Sequence, residues 1–364
     1  MAISRRLAAA GLPTLIGSLP LNDHQEALRW IFASVPQVPL WPQLPGRLRE
    51  GMLRQFVEGF PGIVEDEERV IFNTRANTFD QELLAFYEDY LKALEDPARL
   101  VGSRFETSME RAAGLYALRE ALRERSGLVA VKGQITGPFT LLTGLHDQDG
   151  RAAYFDPALR DMAVKGLALK AAWQVHFFAA SRLPVLVFID EPGLAGLGSS
   201  AFVGVSRADV SQDLGEVIGA IHGAEGLAGI HICGNTDWGV VLSLPIDVLS
   251  FDAFTYFDRL AMFRVELSTF LARGGILAWG LVPTGRAEDI AAVTVDGLSE
   301  LWRRQAGQLV AANRSLSAIL GQTLITPSCG TGSLTPELAR KVLDLTRDVS
   351  ARLRQQHGVE EERS

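Results

Sequence analysis

The sequence predicts an α/β fold, a closed (β/α)₈ TIM barrel formed by one domain over residues 1–364. Three observations predict it: eight short apolar runs of strand length, helical patterns between most of them, and hydrophobicity that is nearly continuous within each run. Continuous hydrophobicity is typical of parallel strands covered by helices on both faces. Eight alternations in a chain of 364 residues favour a closed barrel.

The predicted elements follow in chain order. The strands are Thr14–Leu19, Val38–Pro42, Leu128–Gly133, Val185–Ile189, Gly226–Ile232, Val248–Phe251, Gly275–Trp279 and Leu324–Thr326. The principal helices are Ala158–Ala180, Arg207–His222, Asp258–Arg273, Ala287–Leu320 and Pro336–Arg354, with Ser206, Thr284 and Thr335 as candidate N-terminal caps or starts.

An open, doubly wound sheet is the alternative fold, and it would carry a glycine-rich phosphate-binding turn after an early strand. The stretch Gly193–Gly198 fits such a pattern only loosely and follows the fourth run. About 85 residues separate the second and third runs, far more than a normal crossover. We therefore expect residues 46–126 to be a helical and hairpin insertion that caps the barrel, with its acidic run Glu65–Glu68 as a solvated turn.

Composition and charge exclude several functions. The net charge of −8 argues against a nucleic-acid partner or an anionic membrane surface, which would require excess Lys and Arg. Nowhere do 18 apolar residues run together, so no membrane span is predicted. Gly11 and Pro13 break the apolar stretch after Arg5 and Arg6, which argues against a signal peptide. Two cysteines in 364 residues suit a reducing compartment, and we expect a cytoplasmic protein.

Polar side chains follow most of the predicted strands, at the barrel end where such folds carry their chemistry. They are Ser18, Lys132, Gln134, Asp190, Glu191, His231, Cys233, Asp252 and Cys329. Lys132 is interpreted as an ion-pair partner of a nearby carboxylate or, less commonly, as a contact for an anionic donor. Glu191 is interpreted as a supporting or capping residue.

The most specific signal is the pair His231 and Cys233. Residues i and i+2 of a strand point to the same side, so the imidazole and the thiol share the barrel mouth. Cys329, the only other cysteine, follows the eighth run. One histidine and two cysteines suit Zn²⁺. Asp252 is the carboxylate best placed to be the fourth ligand, and the alternative is that these residues are ordinary buried core residues.

Several motifs resemble the C-terminal catalytic barrel of cobalamin-independent methionine synthase, in the uroporphyrinogen decarboxylase-like superfamily, and more closely its single-barrel prokaryotic form. The similar segments are I-G-S-L-P at Ile16–Pro20, K-G-Q-I-T-G-P at Lys132–Pro138, I-D-E-P at Ile189–Pro192, H-I-C at His231–Cys233 and S-C-G at Ser328–Gly330. The similarity spans residues 14 to 345 and keeps the order of the family's motifs.

The resemblance implies a zinc methyltransferase that alkylates a small thiol, with homocysteine giving methionine. His231, Cys233 and Cys329 map onto the zinc ligands, and Asp252 replaces the family's glutamate ligand with a shorter side chain. Asp190 would bind the substrate ammonium. Asp190, in that role, and Asp252, as a metal ligand, are the candidate catalytic carboxylates. Ser18 would help to bind the substrate carboxylate, and Glu110 is a possible second ammonium partner.

The methyl donor is expected to differ from that of the family. Cobalamin-independent methionine synthase has a second barrel that helps to hold a polyglutamylated methylfolate, and 364 residues leave no room for one. We therefore expect a methylcorrinoid donor such as methylcobalamin, free or on a corrinoid protein partner. Two alternatives remain open: a metal-free uroporphyrinogen decarboxylase-like enzyme and a non-catalytic corrinoid- or thiol-binding protein.

Overall fold

A seven-stranded parallel sheet forms the centre of the molecule in a computed structural model. The structure describes residues 7–199, 202–310 and 314–359. Arg5 and Arg6 lie outside the described residues. The sheet strands are β1 (Leu12–Pro13), β4 (Val131–Thr136), β6 (Val185–Asp190), β7 (Leu227–Ile232), β8 (Val248–Phe251), β9 (Ile276–Val282) and β10 (Thr323–Pro327), in the spatial order β1-β10-β9-β8-β7-β6-β4. The α/β class with parallel strands is confirmed.

The predicted second strand does not form a regular strand. Residues 38–43 instead make isolated parallel bridges on both sides, Leu40 with Lys132 of β4 and Gln43 with Ser18. Pro39 and Pro42 lack the N–H groups that a regular ladder requires, which explains the interruption. Backbone bonds nevertheless connect this segment to its neighbours, since the Lys132 amide donates to the Pro39 carbonyl and the Gln43 amide to the Gly17 carbonyl.

Helices alternate with these strands as the apolar periodicity predicts. Their bounds are α1 His24–Ser34, α2 Phe79–Glu95, α3 Met109–Leu122, α4 Pro138–Gly144, α5 Pro157–Phe178, α6 Arg207–Gly223, α7 Trp238–Ser243, α8 Ala253–Leu260, α9 Arg264–Ala272, α10 Ala287–Ala292, α11 Val295–Gly307, α12 Leu316–Gly321 and α13 Pro336–Gln356. The strand interiors are fully buried and pack against the apolar faces of these helices. No helix in the described ranges is both long enough and apolar enough to cross a membrane.

Two of the predicted helices are divided. The stretch 258–273 falls within α8 and α9, and the stretch 287–320 forms α10, α11 and α12, with residues 311–313 outside the described residues. Ser206 caps α6 and Thr335 caps α13, as predicted. Thr284 was expected to start a helix, but Arg286 is the N-cap of α10 and the Thr284 amide donates to Ser328 Oγ.

Residues 46–126 contain both a hairpin and helices. The hairpin pairs β2 (Ile63–Glu65) with β3 (Val70–Phe72), and β3 also pairs with β5 (His146–Asp147). The acidic run is not wholly solvated, because Glu65 forms ion pairs with Arg54 and Arg111 and only 13% of its side chain is exposed. Those ion pairs attach the hairpin to the neighbouring loop and to α3.

Candidate metal centre

The carboxyl ends of β6, β7 and β8 place three polar side chains next to one another. Asp190 at the end of β6 is in register with His231 on β7, and His231 is in register with Ser250 on β8. Neighbouring residues in parallel strands point to the same face of the sheet. The sheet register therefore brings Asp190, His231 and Ser250 to one point.

His231, Cys233 and Cys329 form a compact group of potential metal ligands. One ring nitrogen and the two sulfur atoms all lie within 4.8 Å of one another, and both cysteines are free thiols. A tetrahedral zinc ion with bonds of about 2.0–2.3 Å would hold such atoms roughly 3.3–3.8 Å apart. The group is therefore close to the spacing that zinc requires.

The two ring nitrogens of His231 differ in their contacts: one is hydrogen-bonded and the other has no partner. Nδ1 lies 2.9 Å from Ser250 Oγ, whereas the buried Nε2 atom has no hydrogen-bond partner. A buried nitrogen without a partner costs free energy unless something fills its place. Nε2 is thus available to a metal, and these three residues fit a zinc ion.

The two thiols shift each other's pKa in opposite directions. The nearby Cys329 thiol lowers the pKa of Cys233, and the same proximity, together with burial, raises the pKa of Cys329. One thiolate is therefore already favoured. A dication would favour deprotonation of the second, because metal binding requires both sulfurs in the thiolate form.

The loop that carries Cys329 is attached at both ends. Before the cysteine, Ser328 Oγ accepts a hydrogen bond from the Thr284 amide at 3.1 Å. After it, the amide and the hydroxyl of Thr331 donate to the Ser18 carbonyl, each at 3.0 Å. The Gly332 amide donates to Ser18 Oγ at 3.2 Å. These bonds hold the Cys329 sulfur opposite β7.

A cavity of about 250 Å³ opens above the three potential ligands. Its wall combines apolar and uncharged residues with the carboxylates Glu50 and Asp190, and no lysine or arginine of the described chain lines it. The residues that reach it are Ile16, Ser18, Gln43, Pro45, Glu50, Met52, Asp190, Pro192, His231, Cys233, Cys329, Gly330, Gly332 and Ser333. This volume is slightly below the usual range of about 300–1,000 Å³ for ligand pockets, which suits a small molecule.

Asp190 projects into this cavity from β6. It is 6% exposed, and its Oδ1 atom is buried without a hydrogen-bond partner. Burial raises the pKa of Asp190, and the positive charge of Lys132 opposes that shift. This carboxylate oxygen at the cavity wall can accept a hydrogen bond from a ligand.

Lys132 is buried behind the cavity-lining residue Ile16. Its fully buried Nζ donates to the carbonyl of the cavity-lining residue Ile16 at 2.6 Å and to Gln134 Oε1 at 3.2 Å. Burial lowers the pKa of Lys132, and the charge of Asp190 opposes that change. Lys132 does not line the cavity, and within the described chain Asp190 acts on it through charge and not through a direct ion pair.

Glu191 has a supporting position rather than a place in the cavity. Its carboxylate accepts hydrogen bonds from the amides of Phe139 and Thr140 at the start of α4, and from Thr140 Oγ1 at 2.6 Å. Complete burial raises the pKa of Glu191 to about 7 even so. This carboxylate ties the turn after β6 to α4 and so fixes the backbone that carries Asp190.

Two predicted site residues are not in the compact ligand group, although the charges of Cys233 and His231 act on the pKa of Asp252. Asp252 caps α8, where its carboxylate accepts the Thr255 amide at 2.9 Å, and it is outside the compact ligand group. Glu110 is on α3, its side chain is 66% exposed, and it pairs with Arg49 rather than lining the cavity. Backbone N–H groups at the start of α8 need an acceptor, which explains the hydrogen bond to the Asp252 carboxylate.

Sequence reasoning missed Ser250 and Gln43. Ser250 lies two residues before Asp252 in a predicted strand, and the two-residue period of a strand could have marked it as inward-facing. Gln43 lines the cavity and donates to Gln55 Oε1 at 2.5 Å. No sequence signal marks Gln43, because its position depends on the irregular segment 38–43.

Comparison with known proteins shows similarity to a solved structure, but none to a family model or a curated protein. No protein-family model matches the chain, and no curated protein matches it. A crystal structure from Listeria monocytogenes, provisionally named a vitamin-B12 independent methionine synthase, is similar with a TM-score of 0.50 and 13% sequence identity. The match covers 94% of this chain and 98% of the Listeria chain. At that identity, the similarity shows a shared fold.

Proposed function

We propose that this protein is a zinc-dependent methyltransferase that moves a methyl group to a small thiol, with homocysteine as the acceptor and methionine as the product. The observation that carries the proposal is the group of His231, Cys233 and Cys329, with an unpartnered Nε2 atom, beneath a small cavity. The methionine synthase name of the Listeria structure is consistent with this choice.

The donor set suits a catalytic rather than a structural zinc. Three protein ligands leave a fourth position free, as in catalytic sites, whereas structural sites are closed by four. We assign that position to the acceptor sulfur, because Asp252 lies outside the compact ligand group and one of its carboxylate oxygens caps α8. Bound at this place, Zn²⁺ would keep the acceptor thiol deprotonated and nucleophilic at neutral pH.

Two cavity residues would orient the acceptor. Asp190 Oδ1, buried and without a partner, would accept a hydrogen bond from the acceptor's ammonium group. Ser18 Oγ accepts from Gly332, so its own proton is left to donate to the acceptor's carboxylate. We propose no contact for Glu110, which pairs with Arg49 on the surface.

A methylcorrinoid, free or on a corrinoid protein, is the proposed methyl donor. Among the described residues that line the cavity, none is a lysine or an arginine, which does not favour a polyanionic folate tail. Met52, an apolar residue that lines the cavity, is 44% exposed. Its flexible thioether side chain is available to pack against the flat face of a corrin ring.

We also propose that residues 38–43 close the sheet into an eight-stranded barrel in place of a regular second strand. The bridges that this segment makes to Ser18 and Lys132 support the proposal. The stretch 46–126 would then cap the carboxyl ends of the strands. Glu50 and Met52, which line the cavity, support that placement.

The test measures metal content and methyl transfer with purified protein. We expect about one zinc per wild-type chain and little in Cys233→Ser or His231→Gln. His222→Gln is the matched control, because His222 bonds to Asp247 at the amino end of β8, remote from the cavity. Zinc-loaded wild type should convert homocysteine and methylcobalamin into methionine and cob(I)alamin: the S–C bond forms, the Co–C bond breaks with its electron pair left on cobalt, and the thiol proton is released.

The possible results separate the alternatives. Wild type and Cys233→Ser that are equally metal-free would support a decarboxylase-like enzyme. Zinc binding without single-turnover methyl transfer would support a binding protein. Methionine formation from methylfolate alone, with none from methylcobalamin, would contradict the proposed donor. A cross of several thiols with both donors, read by mass spectrometry, identifies the acceptor.

A further inference from the structure

Ser250 is a fully buried polar residue that the proposed reaction does not use. It lies in the interior of β8, where its neighbours Leu249 and Phe251 pack in the core. A buried serine in a strand interior loses hydrogen bonds to water, so its hydroxyl needs a partner. Its described partner is His231, one strand away.

The contact between His231 and Ser250 is set by the pairing of their strands. His231 and Ser250 are a register pair of β7 and β8. His231 is 3% exposed and Ser250 is fully buried, so neither group exchanges this contact for water. The 2.9 Å separation of Nδ1 and Ser250 Oγ is that of a direct hydrogen bond.

The two imidazole nitrogens therefore have different roles. A neutral imidazole carries its proton on one nitrogen and a lone pair on the other. With Ser250 Oγ as acceptor, the proton is on Nδ1 and the lone pair is on Nε2, the atom left without a partner. A hydrogen bond of this kind, from the far nitrogen of a metal-binding histidine, holds the ring plane and the tautomer.

We propose that Ser250 is a positioning residue that keeps the proton of His231 on Nδ1 and directs Nε2 toward the metal. This inference rests on the zinc site of the proposed function but not on the reaction. Ser250 touches neither substrate nor metal and acts through His231. Its loss would leave Nδ1–H buried without an acceptor and would free the ring to turn.

The first test examines the wild-type protein without metal. Histidine labelled with ¹⁵N, with the His231 signal assigned by its loss in His231→Gln, should show a protonated Nδ1 and an unprotonated Nε2. A His231 ring protonated on Nε2 instead would overturn the inference. This measurement involves no Ser250 variant, so it decides the question even when such a variant does not fold.

The second test measures zinc affinity by competition with a chromophoric chelator. Ser250→Ala should bind zinc about 10- to 100-fold more weakly than wild type, the usual effect of losing such a partner. Thr326→Val is the matched control, because Thr326 is equally buried on a sheet strand and its hydroxyl has no partner. Its affinity should stay within about threefold of wild type.

The outcomes distinguish this inference from the proposed function. Weakened zinc binding in Ser250→Ala, at unchanged thermal stability of the metal-free protein, supports the positioning role even when no methyl transfer is found. Equal affinity in Ser250→Ala and wild type overturns the role and leaves the methyltransferase proposal standing. Cobalt substitution gives a further readout: the sulfur charge-transfer bands should persist in Ser250→Ala while the ligand-field bands shift.

Discussion

Gly330→Ala tests how the loop that carries Cys329 is held. A Cβ atom added at Gly330 would lie 2.2 Å from Ser18 Oγ, 3.4 Å from Ser18 Cβ and 3.6 Å from Ser18 N. The first contact is far inside van der Waals range, and Ser18 is itself held by the Gly332 amide. Either the loop or Ser18 must move, and we expect overpacking to cost about 1–3 kcal/mol of unfolding free energy.

Ser18→Gly should relieve this cost. Alone, Ser18→Gly loses the hydrogen bond from Gly332 and about 1 kcal/mol. In the double variant the remaining contact is the backbone nitrogen at 3.6 Å, an ordinary distance. The double variant should therefore be no less stable than Ser18→Gly alone, with a coupling energy of about 1–3 kcal/mol.

The assay combines urea unfolding of the metal-free proteins with zinc competition. Gly330→Ala should also weaken zinc binding, since displacement of the loop moves the Cys329 sulfur, and the double variant should recover part of the affinity. Gly285→Ala is the control, because its Cβ would meet nothing within 4 Å. Strictly additive unfolding energies, or a Gly330→Ala protein as stable as wild type, would refute the proposed contact between loop and Ser18.

Three further predictions concern stability. Lys170 is fully buried and its pKa is lowered to about 8 from 10.5, so its charged form destabilises the fold. As pH rises from 8 to 10.5, the unfolding free energy of wild type should increase relative to that of Lys170→Met by at most about 3 kcal/mol. Urea titration at each pH measures this difference, and a difference that does not change with pH would contradict the prediction. Thr140→Val removes the bonds of Thr140 Oγ1 to Glu191 and from Gly193, and should cost about 1–3 kcal/mol in the same assay, unlike Thr269→Val on an exposed helix position. Zinc at 100 times its Kd should stabilise wild type by about 2.7 kcal/mol but leave the unfolding of Cys329→Ser nearly unchanged; equal shifts would place the metal elsewhere.

Most of the fold was predictable from local patterns. Continuous apolar runs predicted β4, β6, β7, β8, β9 and β10 to within three residues at each end. This succeeds because a strand buried on both faces must be apolar throughout. The segment 38–43 was less predictable, because its prolines interrupt the ladder and its bridges depend on two neighbouring strands.

The site shows the same division between local and distant causes. The two-residue period of a strand is a local property, and it was enough to predict that His231 and Cys233 point to one side. Asp252 was expected to reach the metal, but the amide of Thr255, three residues away, is a nearer donor for its carboxylate. Sequence spacing alone does not decide such a competition between a local cap and a distant ligand group.

Residue types and strand periodicity by themselves therefore determined the α/β class, the parallel strands and the chemical character of the site. Tertiary structure decided which nitrogen of His231 is free, through the register of β7 against β8. It also decided how Cys329 is held, through Ser18 more than 300 positions away along the chain. Both depend on contacts between segments distant in sequence, which side-chain periodicity does not encode.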